Sequence, residues 1–159
     1  MPVSLHLSDH NPDMNESLER CIEKAMLNLL DECVFGGIMI TYNTPGFPLY
    51  YIDDRMLSFL NYPSRAHLIT ATKGTMINCI RTEDRESLQS EITQSLLSGN
   101  SYTTTYRMLC RDKGYIWIKE TGVQTVLPNG ESVLVSLCLD ITGQMEAQAE
   151  LESIVQCPM

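Results

Sequence analysis

The chain has 159 residues, 43% of them hydrophobic, which fits one globular domain around one core. Its 20 acidic and 11 basic residues leave a net charge of −9, which argues against nucleic acid or an anionic membrane as a direct partner. No apolar run reaches membrane-spanning length, and Met1 to His10 lacks the basic start and apolar stretch of a secretory signal, so a cytoplasmic location without membrane insertion is expected.

Residues 1–12 show no periodicity and are expected to be a disordered leader. A helix is predicted over 13–34. Asp13 and Glu16 have capping-box spacing, and apolar residues from Met14 to Cys33 recur at helical intervals, Ile22 and Ala25 among them. That stripe is too wide for a solvated helix. It needs a partner surface, either the domain's own sheet or a second copy of the helix. Gly36-Gly37 ends it. Ile38–Tyr42 and Leu49–Ile52 read as a short hairpin around Asn43-Thr44-Pro45-Gly46.

Asp53-Asp54 is expected to cap a helix through Leu60, and Asn61-Tyr62-Pro63-Ser64 to restart another. Short helical turns are expected over 65–80, broken at Lys73-Gly74. Thr82 is predicted to cap a longer helix. Glu83 and Asp84 sit in its first turn, Leu88, Ile92, Ser95 and Leu96 on its buried side, and Gly99 in a left-handed cap.

Three strands follow: Tyr102–Arg111, Tyr115–Leu127 and Ser132–Ile141. The turns Arg111-Asp112-Lys113-Gly114 and Leu127-Pro128-Asn129-Gly130 each place a glycine last, which suits a type I turn closed by a left-handed residue. The segment 143–159 reads as the start of a linker helix. Ala147, Leu151 and Ile154 recur there at 4,3 spacing, about two heptads and too few to be stable alone. Two strands, a run of helices and three strands make an α+β fold, a five-stranded antiparallel sheet with helices on one face.

Period-two alternation sorts the three long strands into two faces. With Met108 set opposite Trp117, one face carries Tyr106, Met108, Trp117, Val135 and Leu137. The other carries Arg107, Leu109, Ile118, Glu120, Leu134, Ser136 and Cys138. Arg107 and Glu120 are then at diagonal reach, either as a polar anchor for a ligand or as an ion pair near the rim. The first face is greasy for a solvated surface, and the N-terminal helix is its natural cover.

Thr105-Tyr106-Arg107-Met108, Arg111-Asp112-Lys113-Gly114, Trp117-Ile118 and Asp140-Ile141-Thr142 occur in an order and spacing that resemble the C-terminal half of a PAS domain. The nearest subtype is the bacterial one whose last strand ends in Asp-Ile-Thr. The resemblance runs upstream through Glu83-Asp84-Arg85 and Tyr50-Tyr51-Ile52-Asp53 to about Gly36. The sequence departs from the family at four places. Asp112-Lys113-Gly114 replaces the usual Lys-Asp-Gly, Arg81-Thr82 replaces His-Pro, Asp53 replaces Asn, and Asn61 replaces Gly.

The resemblance implies a non-enzymatic sensory domain over 35–142 whose second face is the concave, pocket-lining one: Arg107, Leu109, Ile118, Glu120, Leu134, Ser136 and Cys138. It implies a signal junction at Asp140, Ile141 and Thr142, where Asp140 ends the strand and Thr142 can cap the next helix. It also implies a homodimer through the N-terminal helix and outer sheet face, and an effector such as a histidine kinase or diguanylate cyclase. The flavin-binding branch holds its ring with side-chain amides where this chain has Leu109, Ile118 and Cys138. The haem-binding branch supplies a histidine from the helix corresponding to 82–98, which has none here. Neither cofactor is expected; the resemblance leaves a small apolar pocket that holds either an unidentified small ligand or nothing.

No nucleophile elbow, Walker loop, dinucleotide fingerprint or His-Glu-x-x-His motif is present. Asp53-Asp54 and Glu83-Asp84 suit helix capping better than acid–base work. Six cysteines at 21, 33, 79, 110, 138 and 157 form no Cys-x-x-Cys pair or zinc pattern and read as reduced thiols. Two alternatives are also compatible with these residues. One is a small α+β enzyme with a cone-shaped pocket using Glu120; the other is a dimerisation module with a filled core.

Overall fold

The computed structural model describes residues 36–112 and 114–156, together with the helical residues Arg20, Ile22 and Ala25. The expected leader and the capping box at Asp13 lie outside the described residues. Strand β1 (Gly37–Tyr42) and strand β2 (Leu49–Ile52) form a hairpin. Helices α1 (Asp54–Phe59) and α2 (Arg65–Thr72), a 3₁₀ turn (Met76–Cys79) and helix α3 (Thr82–Ser98) follow. Strands β3 (Ser101–Cys110), β4 (Gly114–Val126) and β5 (Ser132–Asp140) lead into helix α4 (Thr142–Gln156).

All five strands join one antiparallel sheet in the order β2-β1-β5-β4-β3. The last strand lies at the centre and is buried on both faces from Val133 to Cys138. On the inner face, Met39, Tyr106, Met108, Ile118, Leu134 and Cys138 pack against Met56, Leu60, Leu68, Met76, Leu88 and Ile92 of the helical segment. On the outer face, Ile38, Ile40, Val133, Val135 and Leu137 pack with Ile22 and Ala25. Burying Ile22 fully and Ala25 to 5% exposure there removes apolar strand surface that the alternation leaves facing outward.

Local chemistry explains the element ends. The Asp53 carboxylate accepts the Met56 amide at 2.8 Å and caps α1; Ser64 does the same for α2 through the His67 amide at 3.3 Å. Asn61 sits at φ 63°, a conformation asparagine tolerates better than most residues, which accounts for its standing where the family has glycine. A Cβ on Gly37 would come within 2.8 Å of the Met56 Cα, so this glycine lets α1 lie close on β1.

Three expectations are corrected. Thr82 is the first residue of α3 and Arg81 its cap position, without a side-chain cap bond. Gly99 is extended, at φ −171°, rather than left-handed. Most consequentially, the first hairpin pairs Cys110 with Gly114, so Arg107 faces Trp117 and Met108 faces Ile116. The loop spans three residues instead of two, with Gly114 left-handed at φ 75°. One residue of register turns every β3 side chain to the opposite face. Tyr106 and Met108 point inward, and Arg107 and Leu109 point outward.

Candidate functional site

The inner face carries a buried carboxylate. Glu120 lies mid-β4 and is 5% exposed. Its carboxyl accepts hydrogen bonds from the Tyr102 and Tyr106 hydroxyls and from the Ser136 hydroxyl, the last at 2.8 Å. Tyr102 and Ser136 are also hydrogen-bonded to each other at 2.8 Å. Among the described residues only hydroxyls bond this carboxylate; no cation does. Such a group is costly to bury unless its oxygens are satisfied, and here three donors satisfy them. Burial, with the Glu120 charge beside them, pushes the Tyr102 and Tyr106 phenols well above their ordinary range, and the neighbouring Cys138 thiol with them.

The register brings this cluster together. Tyr102 lies opposite Gly122, and Glu120 opposite Cys138. A side chain at 122 would overlap the Tyr102 ring, so the glycine opens the path by which the phenol crosses β4 to Glu120 and Ser136. Beside the cluster is a cavity of about 20 Å³, lined by Met39, Phe47, Met76, Tyr106, Glu120 and Leu134 among others. That is room for one water molecule, against several hundred Å³ for a metabolite pocket.

Arg107, expected beside Glu120, is instead tied to α3. Its Nε and Nη2 donate to the two carboxylate oxygens of Asp84 at 2.9 and 2.6 Å, and its backbone amide donates to Asp84 Oδ2 at 2.9 Å. Its guanidinium lies 4.8 Å from the centroid of the Trp117 ring. Next to it, the Arg81 amide donates to the Arg107 carbonyl at 3.0 Å.

On its other side, where β5 ends, Trp117 meets the junction. The Ile141 amide donates to the Trp117 carbonyl at 2.9 Å, and the Trp117 amide donates to Thr142 Oγ1 at 3.0 Å. Asp140 Oδ1 accepts the Thr142 amide at 3.0 Å and the Thr142 hydroxyl at 2.6 Å. Thr142 therefore opens α4 instead of capping it, and its hydroxyl bridges Asp140 to β4. The Met145 amide donates to the Ile141 carbonyl at 3.0 Å, starting the helix. From Glu146 to Ile154 every side chain is exposed, with Leu151 at 63% and Ile154 at 69%.

The family model of the PAS fold matches residues 49–136, more than half of the chain. The chain belongs to the PAS family. No curated protein matches it in sequence. Among solved structures it is similar to a sensory box histidine kinase/response regulator from Burkholderia thailandensis, with a TM-score of 0.62 and 16% identity over 82% of this chain and 95% of that one. It is similar to the N-terminal domain of a diguanylate cyclase with PAS/PAC sensor from Marinobacter aquaeolei, with a TM-score of 0.53 and 18% identity over 69% and 98%. It is similar to the PAS domain of a protein from Colwellia psychrerythraea, with a TM-score of 0.54 and 22% identity over 74% and 98%. At these identities the likeness is one of fold.

Of the seven residues expected to line the PAS pocket, Ile118, Glu120, Leu134, Ser136 and Cys138 share the inner face, while Arg107 and Leu109 do not. Leu109 is 40% exposed. The Arg107–Glu120 pair does not form, because β3 presents Tyr106 to the interior where Arg107 was expected. The sequence reading missed Tyr102, Tyr106 and Gly122. The available signal was a glycine inside a strand opposite an aromatic residue, a pattern that marks close approach. Cys79, Cys110 and Cys138 are buried, and burial pushes the Cys79 thiol up to about 12. Among the described residues no cluster of His, Cys, Asp and Glu could hold a metal ion, and no helix is long and apolar enough to cross a membrane.

Proposed function

We propose that this PAS domain is a non-enzymatic signalling module that passes movement of its sheet to α4 and, through α4, to an output such as a histidine kinase or diguanylate cyclase. The observation that carries this reading is the hydrogen-bonded junction of Trp117, Asp140, Ile141 and Thr142 at the root of a helix whose side chains from Glu146 to Ile154 are solvent-exposed. A shift of β4 relative to β5 changes the geometry of these bonds first, and α4 is the element they hold. The relatedness in fold to domains of a kinase and a cyclase supports the class of output. The filled interior favours contact with a partner or a second copy, through the outer face and terminal helices, over a resident metabolite as the input. For the same reason, and because Ile118 and Cys138 on the inner face offer no side-chain amide and α3 carries no histidine, we propose that the domain works without flavin or haem.

A second reading rests on Glu120. A carboxylate beside a small cavity is a feature a ligand or reaction could use, and turnover lost in Glu120→Gln would favour it. The relay reading is tested by hydrogen exchange on α4 and by output assays of a kinase or cyclase joined to or co-purifying with the chain. Asp140→Ala and Thr142→Val should both raise exchange in α4 and shift the basal output. Unchanged exchange and unchanged output in both variants would overturn it.

A further inference from the structure

A second concavity lies away from the sheet's inner face. It is a cleft of about 480 Å³ between α2 and the β3–β4 turn, lined by Tyr62, Ala66, His67, Thr70, Ala71 and Arg111. Its size falls in the range of small-molecule sites, unlike the interior cavity. Two alanines form an apolar wall, and the remaining groups are hydrogen-bond donors.

We propose that this cleft binds a small oxyanion, a carboxylate or phosphate group on a metabolite-sized molecule. Arg111 supplies the charge. Its backbone amide is fixed by the Leu60 carbonyl at 3.0 Å, while its guanidinium has no hydrogen bond or ion pair among the described residues. A free guanidinium presents a planar fork matched to two oxygens of an oxyanion. In a chain of net charge −9, an arginine lining a cleft without a carboxylate partner is a specific arrangement.

The neighbours fit the same ligand. Ser64 Oγ accepts the His67 amide and lies 2.6 Å from His67 Nδ1. With the hydroxyl proton directed to Nδ1, the ring proton sits on Nε2 as a donor. Tyr62 and Thr70 add hydroxyls to the same lining as Arg111. The opposing charge is Asp112, next to Arg111 in the chain, and its Oδ2 accepts a hydrogen bond from Asn61 Nδ2 at 3.1 Å. The site is independent of the relay reading, and would stand even if Asp140→Ala left α4 unchanged.

The test is a titration of the full chain, followed by amide resonances at constant pH and ionic strength, with inorganic phosphate and separately with malate. Saturable shifts at Tyr62, His67, Ala71 and Arg111 with either probe are expected, and the probe that binds assigns the oxyanion class. Arg111→Gln should weaken binding by about ten-fold or more, the scale of one lost charge-assisted contact. His67→Gln should weaken it less, and Lys119→Gln on the outer face of β4 should leave it unchanged. No saturable shift in the cleft with either probe, or equal weakening by Arg111→Gln and Lys119→Gln, would overturn the proposal.

Discussion

Tyr102 occupies the space that a side chain at position 122 would need. The two residues face each other across β3 and β4, and the ring lies over Gly122 to reach Glu120 and Ser136. Gly122→Ala should therefore destabilise the fold by roughly 1–3 kcal/mol through overpacking. Gly143→Ala, in α4 with nothing within 4 Å of the added methyl, should be neutral or stabilising by up to about 1 kcal/mol. Urea unfolding of the two variants makes the comparison, and equal effects would contradict the packing described.

The Glu120 cluster predicts non-additive mutants. Tyr106→Phe removes one of three donors from a buried carboxylate and should cost about 1.5–3 kcal/mol. In a Glu120→Leu background the same change should cost much less, because no charge is left to satisfy. A double-mutant cycle measures the difference, and a coupling below about 0.5 kcal/mol would show that the hydroxyls do not stabilise the carboxylate.

The raised phenols set an alkaline limit. A phenol whose folded pKa lies above its unfolded value near 10 keeps its proton in the folded state while the unfolded state loses it. The contribution of Tyr102 and Tyr106 is thus full below the unfolded pKa and is lost as pH rises above it. Of seven tyrosines, these two should remain un-ionised in absorbance titrations at 295 nm until the protein unfolds. Tyr102→Phe and Tyr106→Phe should each remove one late-titrating group.

Asp53 works in the opposite sense to most capping carboxylates. Desolvation raises its pKa in the folded state, outweighing the Met56 and Ile38 amides that lower it. Stability from this group is therefore greatest at acid pH and falls as pH rises through the carboxylate range. Asp53→Asn keeps the cap without the charge. It should be neutral or stabilising at pH 7 and should flatten that slope, whereas Asp53→Ala should cost about 1 kcal/mol.

Arg107 can be followed through the single tryptophan. Arg107→Gln removes the bidentate bond to Asp84 and the cation over Trp117, so it should change Trp117 emission and cost about 1 kcal/mol, modest because the pair is partly exposed. Unaltered emission would show that the stacking does not persist in solution.

Much of this protein follows from local rules. Asp53 and Ser64 mark helix starts by their capping chemistry, Gly114 and Gly130 mark hairpin closures, and alternation along β4 and β5 places Ile118, Glu120, Leu134, Ser136 and Cys138 on one face. These features depend on neighbours within a few residues, and the order of elements then leaves an antiparallel α+β sheet as the solution. Which way β3 faces could not be decided in that manner. Both registers offer alternating polar and apolar residues, and a loop of two or three residues suits the same turn sequence. Tertiary packing decided it, because inward Tyr106 and Met108 fill the space beneath α3 while outward Arg107 gains Asp84 and Trp117. The satisfaction of Glu120 by two tyrosines, the nearly closed interior and the cleft beside Arg111 are likewise products of contacts between distant segments.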